Sequence, residues 1–567
     1  MLNTDKWTCR HAALALAAFG VESVVTSPGS RNAPLLMAVS RHGGLKTLSV
    51  VDERSAAFIA LGIAEISQRP VALVCTSGTA LLNYAPAVCE AYHKHLPLIV
   101  ISADRPEEWI DQADSQTMRQ PGALSNFVKL SVDMKAEPAD EEQKWLYTRR
   151  LNEALDCALA GCPGPVHINI RISEPLTAQA EYSDEQFHRI TVITSPEKVA
   201  TTTARTLAND VKQKKILIVA GFGAPDAALN KAISTLGRQP NVVVLAESLS
   251  NLHSDDVLKV SDCMFPGLST EKAAGFVPDL LISFGGAIVS ATLKRFLRQA
   301  DIAEHWHVGV ERNLIDTFRH LSTAIQVPPS DFFPRFAGAL NFLNKNSTGI
   351  SPFKKAWGEV ASMRNEGQRR KLQSAPWNVA TAIGLVMEAA PISGMNLQLS
   401  NGLAVRVASM SCLDKFHRVD GNRGVSGIDG STSTAVGASL AYKGGDTLLI
   451  TGDMSFQYDL GALASNYLTS KLRIVLLDNG GGGIFKYIKT TRSLPEVDNL
   501  FRCHLNLNAK AIASAFGLQY HHADSYESLQ DAVPAFFAGP GPGPAILEIA
   551  TDAGTDAAVL TETNTNN

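Results

Sequence analysis

The chain has 567 residues, of which 45% are hydrophobic and 19% charged, and its formal net charge at pH 7 is −4. This length exceeds the roughly 250–300 residues at which a single hydrophobic core stops growing, so we expect more than one domain. The balanced charge provides no basic field, which argues against nucleic acid as a partner.

The sequence carries no signal for a membrane or for secretion. No apolar run approaches the ~18 residues of a membrane span. Acidic, basic and tryptophan residues precede the first apolar stretch, which predicts an amphipathic helix closed by Gly20 instead of a leader. The eight cysteines include no C-x-x-C pair and no zinc-ligand spacing, as is typical of core thiols in a reducing compartment. We therefore expect a cytoplasmic protein.

Helix and strand patterns alternate through the first third of the chain. The predicted helices cover residues 6–19, 33–41, 54–67 and 80–92. The predicted strands are "VESVVTS", "KTLSVV", "VALVC", "LPLIVIS" and "GPVHINIRISEPL". This alternation predicts a mostly parallel sheet with helices on its faces.

Two further α/β segments follow, separated by polar linkers at 177–192 and 344–352. The second segment has the strand patterns "KILIVAG", "NVVVLAE", "DLLISFG" and "WHVGV", and the third ends with "PAILEIA". The polar tail "TDAGTDAAVLTETNTNN" is predicted to be frayed. The chain is therefore expected to form three α/β domains, at 1–185, 193–345 and 353–567.

Two stretches of the chain resemble each other at a fixed offset of 375 residues. "TSGTALLNYAPAVCEAYHKHLPLIVISAD" aligns with "TGDMSFQYDLGALASNYLTSKLRIVLLDN", so that Gly78 falls on Asp453. Upstream, after a two-residue gap, "DERSAAFIALGIA" aligns with "DGSTSTAVGASLA". Either any two βαβ units look alike at this level, or the first and third domains are diverged copies. The second interpretation makes Asp453 a specialisation of the third domain.

Two polar residues close neighbouring predicted strands of the third segment. "LLITGDMSF" contains Asp453, and Asn479 opens a glycine run 26 residues later. Open α/β sheets bind ligands at the carboxyl ends of their strands. These side chains and a glycine carbonyl would bind Mg²⁺, or Mn²⁺ as the other candidate, together with a diphosphate facing the amides of Met454 and Ser455. The alternative is a helix-capping aspartate beside a glycine-rich turn.

The spacing from Asp453 to Asn479 resembles the binding motif of the thiamine diphosphate (ThDP) enzymes. The resemblance implies a pyrimidine-binding domain, a central domain and a diphosphate-binding domain, with the first and third similar. It implies a metal bound by Asp453, Asn479 and Gly481. It also implies cofactor contacts at Ser426, Ile428, Met454, Ser455, Gly482 and Ile484.

The same resemblance gives Glu53 a catalytic role. In these enzymes a glutamate at the start of a helix in the first domain contacts N1′ of the aminopyrimidine, and Glu53 in "VDERSAAF" matches it. The alternative is that Asp52 and Glu53 are only favourable charges at a helix N-terminus. Because family members pair the first and third domains across subunits, the resemblance implies at least a homodimer, and we expect a homotetramer.

Several stretches are similar to one family within this group, the 2-succinyl-5-enolpyruvyl-6-hydroxy-3-cyclohexene-1-carboxylate (SEPHCHC) synthases of menaquinone biosynthesis. They are "TSPGSRNAPL", "SADRPEEWIDQADSQTMRQPG", "GNRGVSGIDGSTSTAVG" and "NGGGGIFKYI". The family decarboxylates 2-oxoglutarate and adds the succinyl unit to isochorismate in a Stetter-like conjugate addition. Each substrate carries two carboxylates, which guanidinium groups bind well.

Matching the family's motifs assigns candidate substrate residues. The candidates for isochorismate are Ser30, Arg31, Arg105, Gln116 and Lys294. The candidates for the succinyl carboxylate are Arg406 and Arg423, and the candidates for the pocket wall are Ile484, Phe485 and Ile488. For each arginine alone, a surface or interface ion pair is the alternative.

The chain departs from the family's pattern at four places. Met454 stands where many ThDP enzymes have Gly, and Gly402 stands where relatives often have Ser. An extra residue in "GGAIVSATLKRF" leaves the choice between Lys294 and Arg295 open. The metal loop "DNGGGGIF" has glycines where relatives have Asn and Gln, so its ligand assignment depends on the alignment.

Other functions are weighed against this one. An acetolactate synthase would not need so many anion-binding arginines, and a 2-oxoacid decarboxylase would have paired histidines in its first domain, whereas His521 and His522 lie in a late predicted strand. A nicotinamide dehydrogenase is disfavoured because "GFGAPD" lacks the third glycine of its fingerprint. A non-catalytic, ligand-sensing relative is disfavoured by intact Glu53, Asp453 and Asn479.

Overall fold

The structure, a computed structural model, describes residues 2–182, 185–193, 198–260, 262, 274–346, 349–392, 394–411, 413–538 and 543–565. These residues form three six-stranded sheets, in each of which every pair of neighbouring strands is parallel. Helices cover the sheets on both faces, which confirms the predicted fold class. None of the helices in the described ranges combines the length and apolar character that crossing a bilayer requires.

The first sheet is built from residues 23–171 and has the strand order β3-β2-β4-β5-β7-β6. A short antiparallel pair, β1 with β8, lies beside it. The strands are β1 (Leu2–Thr4), β2 (Ser23–Thr26), β3 (Lys46–Ser49), β4 (Val71–Cys75), β5 (Leu98–Asp104), β6 (Ser131–Lys135), β7 (Val166–Arg171) and β8 (Gln179–Glu181). The helices are α1 (Trp7–Ala18), α2 (Ala33–Ser40), α3 (Glu53–Ser67), α4 (Ala80–Asn83), α5 (Ala85–Lys94) and α6 (Glu141–Leu159).

The central sheet has the order β11-β10-β9-β12-β13-β14. Its apolar strands are buried on both faces, as is typical of parallel sheets. The strands are β9 (Ile216–Ala220), β10 (Val242–Ala246), β11 (Leu258–Lys259), β12 (Leu280–Phe284), β13 (Glu304–Val308) and β14 (Leu321–Ile325). The described helices are α7 (Thr201–Val211), α8 (Ala227–Gly237), α9 (Ala291–Gln299) and α10 (Pro329–Leu343).

The third sheet has the order β16-β15-β17-β18-β20-β19. Its strands are β15 (Asn396–Leu399), β16 (Arg418–Asp420), β17 (Thr447–Gly452), β18 (Leu472–Asp478), β19 (Gln519–Ala523) and β20 (Ala545–Ala550). The helices are α11 (Pro352–Ser374), α12 (Val379–Ala389), α13 (Leu403–Ala408), α14 (Ser431–Ala441), α15 (Asp453–Tyr458), α16 (Ile484–Tyr487), α17 (Ala509–Ala515), α18 (Tyr526–Phe537) and α19 (Ala553–Thr565). When the six strands of each sheet are counted in chain order, the first and third sheets both have the order second, first, third, fourth, sixth, fifth. This shared topology confirms that the two domains are similar.

Helices α3 and α14 are the matching helices of the two similar domains, and they pack closely against each other. A Cβ added to Gly62 would lie 2.1 Å from the carbonyl oxygen of Thr434. The contact is reciprocal, because a Cβ added to Gly437 would lie 2.0 Å from the carbonyl oxygen of Ile59. Glycine at both positions therefore lets the two helices approach backbone to backbone.

The strand register corrects the alignment of the two copies. Val71 of β4 pairs with Leu98 of β5, whereas Leu448 of β17 pairs with Arg473 of β18. If β5 and β18 correspond at the offset of 375, β4 and β17 differ from that offset by two residues. The first residue after β4, Thr76, is then the counterpart of Asp453, and Gly78 lies two residues further on.

Two other sequence expectations were wrong. The helix predicted over 80–92 is two helices, α4 and α5, and Pro86 lies in the first turn of the second, where a proline is tolerated. The tail predicted to be frayed is the helix α19, whose Asp556 is fully buried. Of the eight cysteines, Cys263 and Cys412 lie outside the described residues, and the other six are free thiols.

Candidate active site

Asp453 lies where β17 ends and α15 begins, at the carboxyl edge of the third sheet. Its Oδ2 accepts hydrogen bonds from the amides of Asn479 (3.1 Å) and Gly481 (2.7 Å), and Oδ1 accepts one from Met454 (2.7 Å). Burial raises the pKa of Asp453, while these three bonds favour the charged form. The two residues predicted from sequence to share a metal are therefore adjacent.

The glycine run after β18 folds into a tight loop. Gly480, Gly481 and Gly482 all have positive φ angles, of 78°, 98° and 54°, which L side chains rarely adopt. Arg502 holds this loop: its Nη2 donates to the Asn479 carbonyl (2.9 Å) and its Nε donates to the Gly481 carbonyl (3.1 Å). The backbone conformation thus requires the glycines that depart from the family's pattern. The sequence analysis did not predict the role of Arg502 in holding this loop.

The side chain of Asn479 is oriented by the C-terminal helix. Its Nδ2 donates to Oδ2 of Asp556 (3.2 Å), which also accepts from the Thr551 hydroxyl (2.8 Å). The other oxygen of Asp556 accepts from the amide of Val379 (2.8 Å). With Nδ2 directed at Asp556, the amide oxygen of Asn479 is the atom left to serve as a metal ligand.

The departure at Met454 has a packing explanation. A Cβ added to Gly482 would lie 3.1 Å from the Met454 sulfur, so the bulk of Met454 is accommodated by glycine in the facing loop. Nearby, the Ser455 hydroxyl donates to the carbonyl of Ile428 (2.6 Å). This bond connects α15 to the loop that carries Ser426, which has a φ of 63°, and the half-exposed Ile428.

The predicted pocket wall lies on α16 and just beyond it. Ile484 and Phe485 begin this helix directly after the glycine loop, and Ile488 follows its last residue. Phe485 contacts Phe501 at a ring-centroid distance of 5.6 Å. These three apolar side chains therefore stand beside the metal loop.

Three predicted substrate cations, Lys294, Arg406 and Arg423, form one electrostatic cluster at the junction of the central and third domains. Burial lowers the pKa of Lys294, and its positive neighbours, first of all Arg423, lower it further. Burial also lowers the pKa of Arg423, whose Nη1 donates to Oδ1 of Asn401 (2.6 Å). Arg295 is exposed on α9, so Lys294 is the residue that faces the cluster.

Arg406 lines a cavity between the central and third domains, together with Glu247, Asp262, Ser290, Leu403 and Tyr487. The Glu247 carboxylate already accepts two hydrogen bonds, from the backbone amides of Val289 and Ser290, at 2.6 Å each. It thereby fixes the loop that leads into α9 and Lys294. Gly402, before α13, has a φ of 91°, so the backbone favours glycine where relatives have Ser.

The loop that carries Arg423, Ser426 and Ile428 is held by a side chain of the first domain. Both oxygens of buried Glu90 accept backbone amides, from Gly424 and Val425, at 2.7 Å each. A Cβ on Gly424 would lie 2.7 Å from the Glu90 carbonyl oxygen. Nothing in the local pattern around Glu90 predicts this contact, because its partners lie more than 300 residues away.

The first domain holds a second group of predicted substrate residues. Burial lowers the pKa of Arg31, and nearby Arg105 lowers it further. Both guanidinium groups have acidic partners, Arg31 with Glu174 at 3.2 Å and Arg105 with Asp114 at 2.9 Å. Two more predicted residues, Ser30 and Gln116, are exposed.

Glu53 is the first residue of α3. The capping role belongs to Asp52, whose carboxylate accepts from the Arg54 amide (3.0 Å) and the Ser55 hydroxyl (2.8 Å). We find no hydrogen-bond or ion-pair partner for Glu53 within the described part of the chain. Burial raises the pKa of Cys75, and the charge of Glu53 raises it further, so Glu53 lies near the end of β4.

Within one chain, the two groups of predicted site residues are not bonded directly to each other. Among the described residues, no hydrogen bond or ion pair joins Ser30, Arg31, Arg105 or Gln116 to the cluster of Lys294, Arg406 and Arg423. Likewise none joins Glu53 to Asp453 or Asn479. The neighbour of Glu53 does contact the third domain, since Nη2 of Arg54 donates to the Tyr458 carbonyl at the end of α15 (2.7 Å).

Comparison with known proteins identifies the group to which the chain belongs. Residues 8–123 match the family model of the thiamine pyrophosphate enzyme N-terminal TPP binding domain, and residues 403–549 match that of the C-terminal TPP binding domain. The chain is 38% identical over 552 residues to the 2-succinyl-5-enolpyruvyl-6-hydroxy-3-cyclohexene-1-carboxylate synthase of Porphyromonas gingivalis, covering 95% of this chain and 94% of that protein. The chain belongs to this synthase family.

Other relatives with the same name are similar over most of their length. The synthase of Cytophaga hutchinsonii is 38% identical over 545 residues, which cover 94% of each chain. The synthase of Desulfotalea psychrophila is 35% identical over 544 residues, covering 94% of this chain and 96% of that protein. The protein is thus a ThDP-dependent enzyme of the SEPHCHC synthase family.

Proposed function

We propose that the protein decarboxylates 2-oxoglutarate and adds the succinyl unit to isochorismate, forming SEPHCHC for menaquinone biosynthesis. The observation that carries this proposal is full-length similarity to synthases named for that product. The cluster of Lys294, Arg406 and Arg423 supports it, because both substrates are dicarboxylates. Small neutral acceptors would not need this concentration of positive charge.

The residues present fit a metal and a diphosphate. The Asp453 carboxylate, at the end of β17, and the Asn479 amide oxygen and Gly481 carbonyl, on the loop after β18, are neighbouring hard oxygen donors, which suits Mg²⁺ and also Mn²⁺. We propose that these three hold the metal and that the amides of Met454 and Ser455 face the diphosphate. The Met454 amide would then have to exchange Asp453 for the diphosphate. When bound, ThDP would supply the nucleophilic carbon and the electron sink that loss of CO₂ from a 2-oxoacid requires.

The chain's own residues then divide the remaining work. Glu53 would hold and return a proton at N1′ of the aminopyrimidine, a task suited to a carboxylate without a competing partner. Ile428 would support the bent cofactor, and Ser426 would contact it through the main chain. Ile484, Phe485 and Ile488 would wall the pocket and exclude water.

The substrate carboxylates would be bound by the two cationic groups. Arg406 and Arg423 would bind the distal carboxylate of 2-oxoglutarate. The isochorismate carboxylates and hydroxyl would contact Lys294 and four residues of the first domain, Ser30, Arg31, Arg105 and Gln116. Arg31 and Arg105 would have to exchange Glu174 and Asp114 for the substrate.

We propose that the complete site forms between two subunits of a homodimer, within a homotetramer. The family resemblance supports this, because members pair the first and third domains across subunits, and no described hydrogen bond joins Glu53 to Asp453 or Asn479 within one chain. A mixture of Glu53→Gln and Asp453→Asn subunits, refolded together, would then regain activity, since hybrid dimers contain one intact site. Absence of regain in demonstrated hybrid dimers would exclude a shared site.

The function is tested by measuring consumption of 2-oxoglutarate in the presence of ThDP and Mg²⁺. We expect consumption to depend on isochorismate and to yield SEPHCHC. Pyruvate in place of 2-oxoglutarate serves as the control donor and should not be consumed. Rapid turnover of pyruvate would favour an acetolactate synthase or a decarboxylase instead.

A further inference from the structure

A cysteine, a histidine and a glutamate lie in hydrogen-bonded series at the junction of the first and central domains, away from the site residues described above. The sulfur of Cys162 lies 3.0 Å from Nδ1 of His95, and Nε2 of His95 lies 3.1 Å from Oε1 of Glu311. Cys162 is partly exposed, in the turn after α6, and Glu311 follows β13. We propose that Cys162 is a reactive thiolate and a site of modification by hydroperoxides and alkylating electrophiles.

The charges around the imidazole favour the ionised pair. Besides Cys162 and Glu311, His307 of β13 belongs to this group, with its Nε2 4.0 Å from Oε2 of Glu311. A carboxylate can only accept, so the nitrogen of His95 that faces Glu311 carries a proton. The remaining proton is shared between Nδ1 and sulfur, and the negative charge of Glu311 favours placing it on the ring. Burial lowers the pKa of His95, but the bonds to Cys162 and Glu311 outweigh burial and raise it to about 9.

The backbone keeps His95 in this position. His95 is the C-terminal cap of α5 in a left-handed conformation with φ of 56°, and its amide donates to carbonyls of the last turn. A positive charge at a helix C-terminus is stabilised by the helix dipole. The imidazolium is therefore favoured both by its helix and by Glu311.

A lysine offsets an unfavourable feature near the thiol. Helix α6 ends at Leu159, and its unpaired carbonyls would disfavour a negative charge on the following turn. The ammonium of Lys129 donates to the carbonyls of Ala160 (3.1 Å) and Cys162 (2.7 Å). Partly exposed thiols among positive charges are the ones that react as thiolates.

The oxidation step needs no oxidant other than the peroxide. The thiolate sulfur of Cys162 attacks one peroxide oxygen, the O–O bond breaks, and an S–O bond forms. The sulfur is oxidised by two electrons to a sulfenic acid and the peroxide is reduced. The departing hydroxide takes the Nδ1 proton of His95 and leaves as water.

The test compares two thiols in the same intact protein. Iodoacetamide is added between pH 6 and pH 8, and alkylation of each cysteine is measured by peptide mass spectrometry. Exposed Cys503 is the internal reference, as it has no imidazole partner in the described structure. An ordinary thiol, which ionises near pH ~8.5, gains about tenfold in rate per pH unit over this range. We expect Cys503 to follow that slope and Cys162 to change by less than about threefold.

Two variants separate the charge effect from the fold. Glu311→Gln removes the negative charge, and His95→Asn keeps a residue that tolerates the left-handed backbone. Both should restore the steep slope at Cys162 and slow its alkylation near pH 6 by about tenfold. A slope at Cys162 parallel to that of Cys503 in the unmodified protein, or an unchanged profile in both variants, would overturn the proposal.

A second probe tests the oxidation itself. The protein is treated with hydrogen peroxide and a dimedone reagent, which captures sulfenic acids. We expect the adduct on Cys162 in preference to Cys503, and its loss in Cys162→Ser. An adduct spread equally over both cysteines would contradict the assignment.

Discussion

The first and third domains share one sheet topology but present different chemistry at the same edge. After β4 the chain runs through four residues, from Thr76 to Thr79, before α4 begins. After β17 the helix α15 begins at once with Asp453, and the loop after β18 meets it through Asn479. A shared backbone thus supports a glycine loop bonded to a buried carboxylate in one copy. In the other it presents Glu53, which has no hydrogen-bond or ion-pair partner among the described residues.

The largest effect is expected from removing the proposed proton-transfer group of the first domain, the carboxylate of Glu53. Glu53→Gln preserves shape and removes the proton acceptor, so turnover should fall by about 10²–10⁴-fold, as for other general acid–base residues. Binding of ThDP, measured by titration, should stay within about threefold. Asp52→Asn is the control, because it alters the helix cap and not the proposed proton relay. Equal losses in both variants would assign Glu53 a structural role.

Removing the Asp453 carboxylate of the third domain should weaken binding of ThDP and the metal. Asp453→Asn takes away the only charged ligand proposed for the metal, so affinity for ThDP with Mg²⁺ should fall by at least roughly 100-fold, more than the loss of a residue that only orients a ligand would cause. Thr76→Ser at the corresponding position of the first domain is the matched control, and it should bind normally. Calorimetric titration measures both, and unchanged affinity of the Asp453 variant would remove it from the metal site.

The contact between the two copies can be broken at α3. Gly62→Ala places a methyl group against the Thr434 carbonyl, 2.1 Å from its oxygen, and should cost about 1–3 kcal/mol through overpacking. Gly358→Ala in α11 is the control: no atom lies within 4 Å of its added Cβ, so it should be neutral or stabilising. Thermal unfolding distinguishes the two, and equal midpoints would contradict the close helix contact.

The first domain also supports the third through Glu90. In Glu90→Gln, the side-chain NH₂ group would face one of the two backbone amides, of Gly424 and Val425, that the carboxylate now accepts. One hydrogen bond would be lost, so the loop that carries Ser426 and Ile428 should become more mobile. We expect ThDP affinity to fall roughly tenfold, about 1.4 kcal/mol, with turnover at saturating ThDP less affected. Exposed Glu142→Gln, on α6, is the control. A change in turnover alone would argue for a different role of Glu90.

The smallest expected effect is a pH dependence at the junction of the two domains. Asp459, fully buried after α15, has its pKa raised to about 7 by burial, despite hydrogen bonds from Ser433. Arg54 and Asp52 are the charged groups that face it. The folded state therefore holds a proton that the unfolded state has lost, and this stabilising contribution disappears as the pH rises from about 4 to about 7.

The comparison variant is Asp459→Asn, which cannot titrate. Relative to it, the free energy of unfolding of the unmodified protein should fall by at most about 1.4 kcal/mol for each pH unit between pH 5 and pH 7. Its thermal midpoint should fall with it. Differential scanning fluorimetry measures both proteins in the same buffers. A relative midpoint that rises over this range would show that Asp459 is ionised in the folded state.

The amino-acid sequence by itself determined most of the strands and the closeness of Asp453 to the glycine loop that begins at Asn479. Apolar runs of five to seven residues bounded by turn residues are local signals, and they placed β4, β9, β12 and β20 to within one residue at each end. Asp453 and Asn479 were found because a fixed spacing along the chain also fixes their places at neighbouring strand ends. The family resemblance assigned roles to residues outside this spacing, such as Glu53, Arg406 and Arg423.

Only the tertiary structure decided which residues support these positions. Arg502, Asp556, Glu247 and Glu90 act through partners that are distant in sequence, and no local pattern marks a residue whose partner lies on another element. The buried role of Asp556 also explains why a polar tail folds as a helix: its carboxylate completes a hydrogen-bond network that the sequence alone does not display. Local periodicity determines where a chain forms strands, whereas contacts between elements determine which side chains the site depends on.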